Sequence, residues 1–141
     1  MASRLEVFTA IDIPDDWYRE TMRRQAVVNA NVTFRLRIEG QDGVFSEEEF
    51  CYPKGIEDYV MEKVGHDYLT RALLHPADRR GRDRDDLPDY NVKITACLCF
   101  SRTFQMQEYY HNSSWLENGG SPEKAARSAL TSAIDATSSS R

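Results

Sequence analysis

The stretch Asp15–Tyr52, DDWYRETMRRQAVVNANVTFRLRIEGQDGVFSEEEFCY, changes its apolar period halfway, and that change decides the fold class. In its first part Tyr18, Met22 and Ala26 recur every four residues, flanked by Trp17, Val27 and Val28, with Arg19, Arg23 and Arg24 beside them. That spacing predicts an amphipathic helix over 15–30. Pro14 precedes the Asp15-Asp16 pair, whose charges suit the positive end of a helix, and Asn29-Ala30-Asn31 supplies a stop. In the second part Val32, Phe34, Leu36 and Ile38 alternate with Thr33, Arg35, Arg37 and Glu39, the period of a half-buried strand. Gly40-Gln41-Asp42-Gly43 is a turn signal, so Val44–Tyr52 returns as the partner of a hairpin. Glu47-Glu48-Glu49 makes the middle of that partner polar, as an edge strand or a bulge would be, and Pro53 ends it. Helix followed by antiparallel hairpin reads as an α+β fold.

Downstream, Ile56, Tyr59, Val60 and Val64 give a short helix from about Gly55 to Val64. The segment 75–90 interleaves Asp78, Asp83, Asp85, Asp86 and Asp89 with Arg79, Arg80, Arg82 and Arg84, adds Pro76, Gly81 and Pro88, and has almost no apolar residue. It reads as a solvated, disordered-looking loop. Val92, Ile94, Ala96, Leu98 and Phe100 then alternate, and Phe104, Met106, Glu108 and Tyr110 continue a second alternation beyond Ser101-Arg102. Those two runs predict strands of one hairpin. After a turn-rich segment from His111 to Gly120, Ser121-Pro122 has the form of an N-cap and first helical residue. The helix that follows collects Ala126, Ala129, Leu130, Ala133 and Ile134 on one side, small enough to approach a sheet closely. Residues 137–141 have no pattern and read as a frayed end.

The 141 residues carry a net charge of −5, so no global field draws the chain to nucleic acid or to an acidic membrane, and any DNA contact is local. A mean hydropathy of −0.62 agrees with long polar loops. Three cysteines, Cys51, Cys97 and Cys99, form an odd set, and the N-terminal stretch has no secretory pattern, so a reducing cytoplasm is the expected compartment. No apolar run reaches the roughly 18 residues of a membrane span.

Chemistry-bearing residues are few. Cys97 and Cys99 share a strand face, with Cys51, His66, His75 and His111 as further donors, but their spacing is not that of a zinc pair, and small hydrophobes in a sheet account for them better. Glu108 and Asn112 match the Glu-x-x-x-Asn spacing by which some ATPases place a base and a magnesium ligand on a helix. Here the five residues run from a strand into a turn, where the two side chains do not stack. No glycine-rich phosphate loop is present. Arg79–Arg84 is neutralised by its aspartates.

Three groups of residues carry a resemblance. Gln25-Ala26-Val27-Val28-Asn29 precedes the strand Phe34-Arg35-Leu36-Arg37; then comes Tyr52-Pro53-Lys54-Gly55-Ile56-Glu57-Asp58-Tyr59-Val60. Farther on, Tyr109-Tyr110-His111-Asn112-Ser113-Ser114 leads to Glu117-Asn118-Gly119-Gly120-Ser121, with Arg127 and Thr131 beyond. Over about Phe8 to Asp135, in this order, the chain resembles the B subunit of bacterial type II DNA topoisomerases, DNA gyrase and topoisomerase IV. It departs in having Ser121-Pro122 where the family has Thr-His, and in the Arg/Asp segment.

The resemblance implies that 1–52 is the C-terminal end, helix and hairpin, of a GHKL ATPase domain. It implies that 53–136 is the first half of a transducer domain, a sheet backed by helices like ribosomal protein S5 domain 2. The parent would couple ATP hydrolysis, with magnesium, to strand passage through DNA beside a gyrase A-type subunit. The ATP-binding motifs of that family lie outside this stretch, so the chain itself is expected to hold no cofactor and no catalytic residue. Arg127 matches the transducer arginine facing the cavity that captures DNA, where a cation meets phosphates. An exposed pair with Glu123, four residues earlier, is the other role open to it. A transducer sheet cut in half leaves an open strand edge, so self-association is expected. The rival reading is a free-standing α+β interaction or regulatory module that is not an enzyme.

Overall fold

The computed structural model describes residues 13–139. In chain order they form α1 (Asp15–Val28), β1 (Phe34–Glu39), β2 (Phe45–Phe50), α2 (Ile56–Val64), β3 (Leu73–Gly81), β4 (Tyr90–Leu98), β5 (Tyr110–His111), β6 (Ser114–Trp115) and α3 (Gly120–Ser138). The strands make separate two-stranded antiparallel sheets, β1–β2, β3–β4 and β5–β6. The fold is α+β, as the change of period predicts. Among the described residues no helix is long and apolar enough to cross a membrane.

Helix α1 starts at the Asp15-Asp16 pair and stops at Asn29, whose backbone N–H and side-chain amide both donate to the Gln25 carbonyl. Its inner face buries Ala26 and Val27, and Phe50, Tyr52 and Tyr59 close around them, with Met22, Phe34, Leu36, Ile56 and Met106 at the margin. This core draws on residues from both sides of the 52–53 boundary. Strands β1 and β2 pair without a bulge, Phe34 opposite Phe50 through Glu39 opposite Phe45. Glu48 lies on the core side, opposite Leu36, and is tolerated there because Arg19 of α1 donates to it at 2.6 Å. On the outer side Arg35 meets Glu49 at 2.6 Å and Glu47 at 3.1 Å, and Arg37 meets Glu47 at 3.5 Å. Glu47 and Glu49 are therefore the cross-strand complement of the β1 arginines, while Glu48 answers Arg19 of α1.

Gly55 opens α2 at φ 58°, ψ −124°, where an L side chain is strained. A Cβ on Gly55 would also stand 3.0 Å from the Val27 carbonyl oxygen and 3.3 Å from the Ala30 Cβ. The glycine thus lets α2 cross close to the end of α1. Gly55→Ala is expected to cost about 1–3 kcal/mol, read as a lower urea midpoint with an unchanged slope. A midpoint equal to wild type would mean that the α1–α2 approach is not tight.

The structure corrects several expectations. The first half of 75–90 is not a loop: β3 runs through Gly81 and pairs residue by residue with β4, Leu73 opposite Leu98 to Gly81 opposite Tyr90. Its charged residues are exposed, so no apolar phase marked the strand. The backbone ladder with Asp78 opposite Lys93, and the Arg80–Asn91 hydrogen bond of 3.2 Å, hold it instead. The turn is confined to 82–89 and closed by an Arg82–Asp89 ion pair of 2.6 Å. The run 104–110 does not pair with β4. Asp67 accepts hydrogen bonds from the Ser101 and Thr103 hydroxyls and from the Thr103 backbone, which turns the chain away after β4, and 104–109 is irregular.

Helix α3 begins at Gly120, after Gly119 at φ 67°, and not behind a Ser121 cap. It extends through Ser138, so residues 137 and 138 are helical and not frayed, while 140–141 lie outside the described residues, as do 1–12. The description of a sheet backed by helices holds only in part. Helix α1 packs on β1–β2 and α2 reaches β4, but no residue of α3 is buried.

Candidate functional site

Arg127 sits at the second turn of α3 with its side chain exposed. Its Nε and Nη2 donate to one oxygen of Glu123 at 2.9 and 2.7 Å. The pair follows directly from the i, i+4 spacing on a helix. It uses two of the five guanidinium donors. Being surface-exposed, it is worth about 0.3–0.5 kcal/mol. So weak a pair is easily exchanged for a phosphate oxygen. Thr131, one turn on, donates its hydroxyl to the Arg127 carbonyl, so Glu123, Arg127 and Thr131 follow one another along α3.

A second constellation lies at the centre of the fold. Glu108 accepts from the Tyr59 hydroxyl at 3.0 Å through one carboxylate oxygen and from the Tyr110 hydroxyl at 2.7 Å through the other. Tyr52 packs edge-on against Tyr59, ring centres 5.6 Å apart. The Arg24 guanidinium stacks on Trp115 at 3.6 Å, and Gln25 donates to the Ser113 carbonyl at 2.8 Å. Two residues of α1 and one of α2 thereby grip the β5–β6 hairpin and the segment entering it. Asn112 forms the tip of that hairpin at φ 52°, a conformation asparagine tolerates. With its carboxylate held between two phenols, Glu108 is a structural bridge; Asn112, at a turn, is not stacked on it as a helical pair would be.

Sequence reasoning missed this bridge. The usable signal was phase: Phe104, Met106, Glu108 and Tyr110 share one alternation, and a lone carboxylate on an apolar phase calls for donors. Their partners come from α2, whose position the spacing alone did not give.

Burial pushes the Tyr59 and Tyr110 hydroxyls well above the usual tyrosine range, and the negative charge of Glu108 and its hydrogen bonds push them further. Tyr52 is pushed up to about 12, by burial and then by Glu62. Each of these folded-state values is raised above the unfolded one, so the associated stability is fully present below about pH 10 and is lost as pH rises above it. Thermal melts from about pH 8 to 12 are expected to show a steep alkaline decline. Tyr59→Phe combined with Tyr110→Phe is expected to flatten it, and an unchanged slope would contradict the bridge.

The remaining candidates are dispersed. Cys99 donates its thiol to the Thr70 carbonyl at 3.1 Å, Cys51 is exposed, and burial raises the Cys97 thiol above its ordinary range. Among the described residues no group of three or more His, Cys, Asp or Glu side chains is placed to hold a metal ion. The Arg79–Arg84 run is engaged locally: Arg79 with the Asp78 carbonyl, Arg80 with Asn91, Arg82 with Asp89. Comparison with protein-family models, with curated proteins and with solved structures finds no match.

Proposed function

We propose that the chain is part of the ATPase arm of a type II DNA topoisomerase B subunit, carrying the end of the nucleotide-binding domain and the beginning of the transducer. The observation that supports this reading is the order in which the resembling motifs fall on structural features. The helix ending at Asn29 is α1, the alternating arginines line β1, and Gly55 of the Tyr52–Val60 motif opens α2 at positive φ. The Asn112 turn and the Gly119-Gly120 start of α3 follow, both at positive φ, and Arg127 stands exposed beyond them. On this reading ATP and magnesium bind elsewhere in the parent, DNA and a gyrase A-type subunit are the parent's partners, and the role of this segment is mechanical. It transmits closure of the nucleotide-binding part to the cavity through which a duplex passes, with Arg127 offering a cation to the phosphates.

A hybrid tests the proposal. Residues 8–135, placed in a gyrase B subunit in exchange for the resembling stretch, are expected to support dimer closure on a nonhydrolysable ATP analogue. The chain alone is expected to give no binding heat with that analogue. Micromolar binding by the chain alone, or a soluble hybrid that binds the analogue yet stays monomeric, contradicts the assignment.

A further inference from the structure

The ion pair on α3 is asymmetric. Arg127 gives both its Nε and its Nη2 to one oxygen of Glu123, at 2.9 and 2.7 Å. The Arg127 side chain is 67% exposed, that of Glu123 only 29%. The acid is the fixed member. It folds back over Gly119, which is buried at φ 67° and where a Cβ would collide with the carboxylate, and it forms part of the wall of a cleft with Tyr109, Trp115 and Asn118. The arginine leans on it from the solvent side. With two of the five guanidinium N–H groups taken, the two on Nη1 and one on Nη2 are left as an outward edge.

We propose that Glu123 sets how tightly Arg127 holds a phosphate, as a fixed counter-charge that keeps the grip weak enough to release. The inference rests on the reading of Arg127 as a DNA contact and adds the regulation of that contact. A phosphate that settles on the outward edge, or displaces the pair, still has the Glu123 carboxylate beside it, because that carboxylate is anchored at the start of α3. Two hydrogen bonds and the width of a guanidinium separate the two anions by roughly 6 Å. Repulsion between unit charges at that distance in water weakens binding about threefold. The distance is shorter than the screening length of physiological salt, so the repulsion acts there and fades at higher salt. A surface that a duplex crosses and leaves has a use for such a brake. An unopposed arginine would hold the phosphate longer, since changes of affinity at one interface appear mostly as changes of dissociation rate.

The hybrid B subunit carrying residues 8–135 tests this, with Glu123→Gln, Arg127→Ala and the double variant. Glutamine keeps the length of the side chain and an acceptor oxygen for Arg127, so circular dichroism should report an unchanged α3. Duplex affinity and dissociation rate are measured at two salt concentrations. Glu123→Gln is expected to bind duplex about threefold more tightly and to release it about threefold more slowly, with the difference shrinking at the higher salt. In the Arg127→Ala background no guanidinium draws a phosphate close to Glu123, and the same change is expected to alter affinity by less than about 1.5-fold. Suppose Arg127→Ala weakens binding, but Glu123→Gln leaves it unchanged, weakens it further, or tightens it equally with and without Arg127. Glu123 then has no such role, and Arg127 keeps its own. If Arg127→Ala binds duplex as wild type does, the reading of Arg127 as a DNA contact fails and the proposal falls with it. Should the hybrid be insoluble, titration of the 141-residue chain with a short duplex, followed at the Arg127 Nε–H by nuclear magnetic resonance, decides on the same ratios.

Discussion

Tyr59→Ala is expected to remove about 3–5 kcal/mol of stability. Tyr59 is 3% exposed, its ring closes the core over Ala26 and Val27, and its hydroxyl holds one oxygen of Glu108. Truncation opens a ring-sized cavity and at the same time leaves a partly buried carboxylate oxygen without its donor, so transfer, cavity and desolvation terms add. Domains of this size have only about 5–15 kcal/mol in total, so the variant is expected to be largely unfolded near physiological temperature. Tyr59→Phe keeps the ring and loses only the hydrogen bond, at about 1 kcal/mol. Urea denaturation of the two variants separates packing from bridging. If Tyr59→Ala unfolded within about 0.5 kcal/mol of wild type, the core would lie elsewhere.

The second large effect is functional and belongs to the proposed parent. If Arg127 faces a passing duplex as proposed, Arg127→Glu replaces attraction by repulsion, a change of two charges. A unit pair at about 4 Å is worth about 1 kcal/mol even in water, so strand passage is expected to fall on the order of tenfold. Arg127→Ala, which only removes the cation, is expected to lose less. Both effects should shrink with added salt, because screening shortens the field to about 8 Å near physiological ionic strength. ATP turnover without DNA should be unchanged. If the guanidinium serves only Glu123, the same substitutions cost a few tenths of a kcal/mol of stability and leave strand passage intact. Rates of supercoiling or relaxation at two salt concentrations decide between the two roles.

What was legible in the sequence follows from where an apolar phase exists. Helix α1, the β1–β2 hairpin and α2 were read within a residue or two because each turns one face to a shared core, and burial imposes a period on the sequence. Strand β3 was invisible because Asp78, Arg79 and Arg80 face water and the ladder to β4 needs only backbone. The opposite error came at 104–109, where alternation is present without a partner strand: Met106 and Glu108 are there to meet the core and the tyrosines, singly. The Arg127–Glu123 pair was legible because it is local. The Glu108 bridge was not, since Tyr59 lies 49 residues away and only the packing of α2 brings it near.

The most direct test of the topoisomerase reading is the genomic sequence on either side of the coding segment. One continuous reading frame is expected. Upstream it should encode the glutamate/asparagine helix, the Asp-x-Gly-x-Gly motif and the glycine-rich lid of a nucleotide-binding domain; downstream, the Gln-Thr-Lys loop and the metal-binding half of a B subunit. In-frame stop codons bounding the segment on both sides, with none of these motifs beyond them, would contradict it and leave a free-standing interaction module.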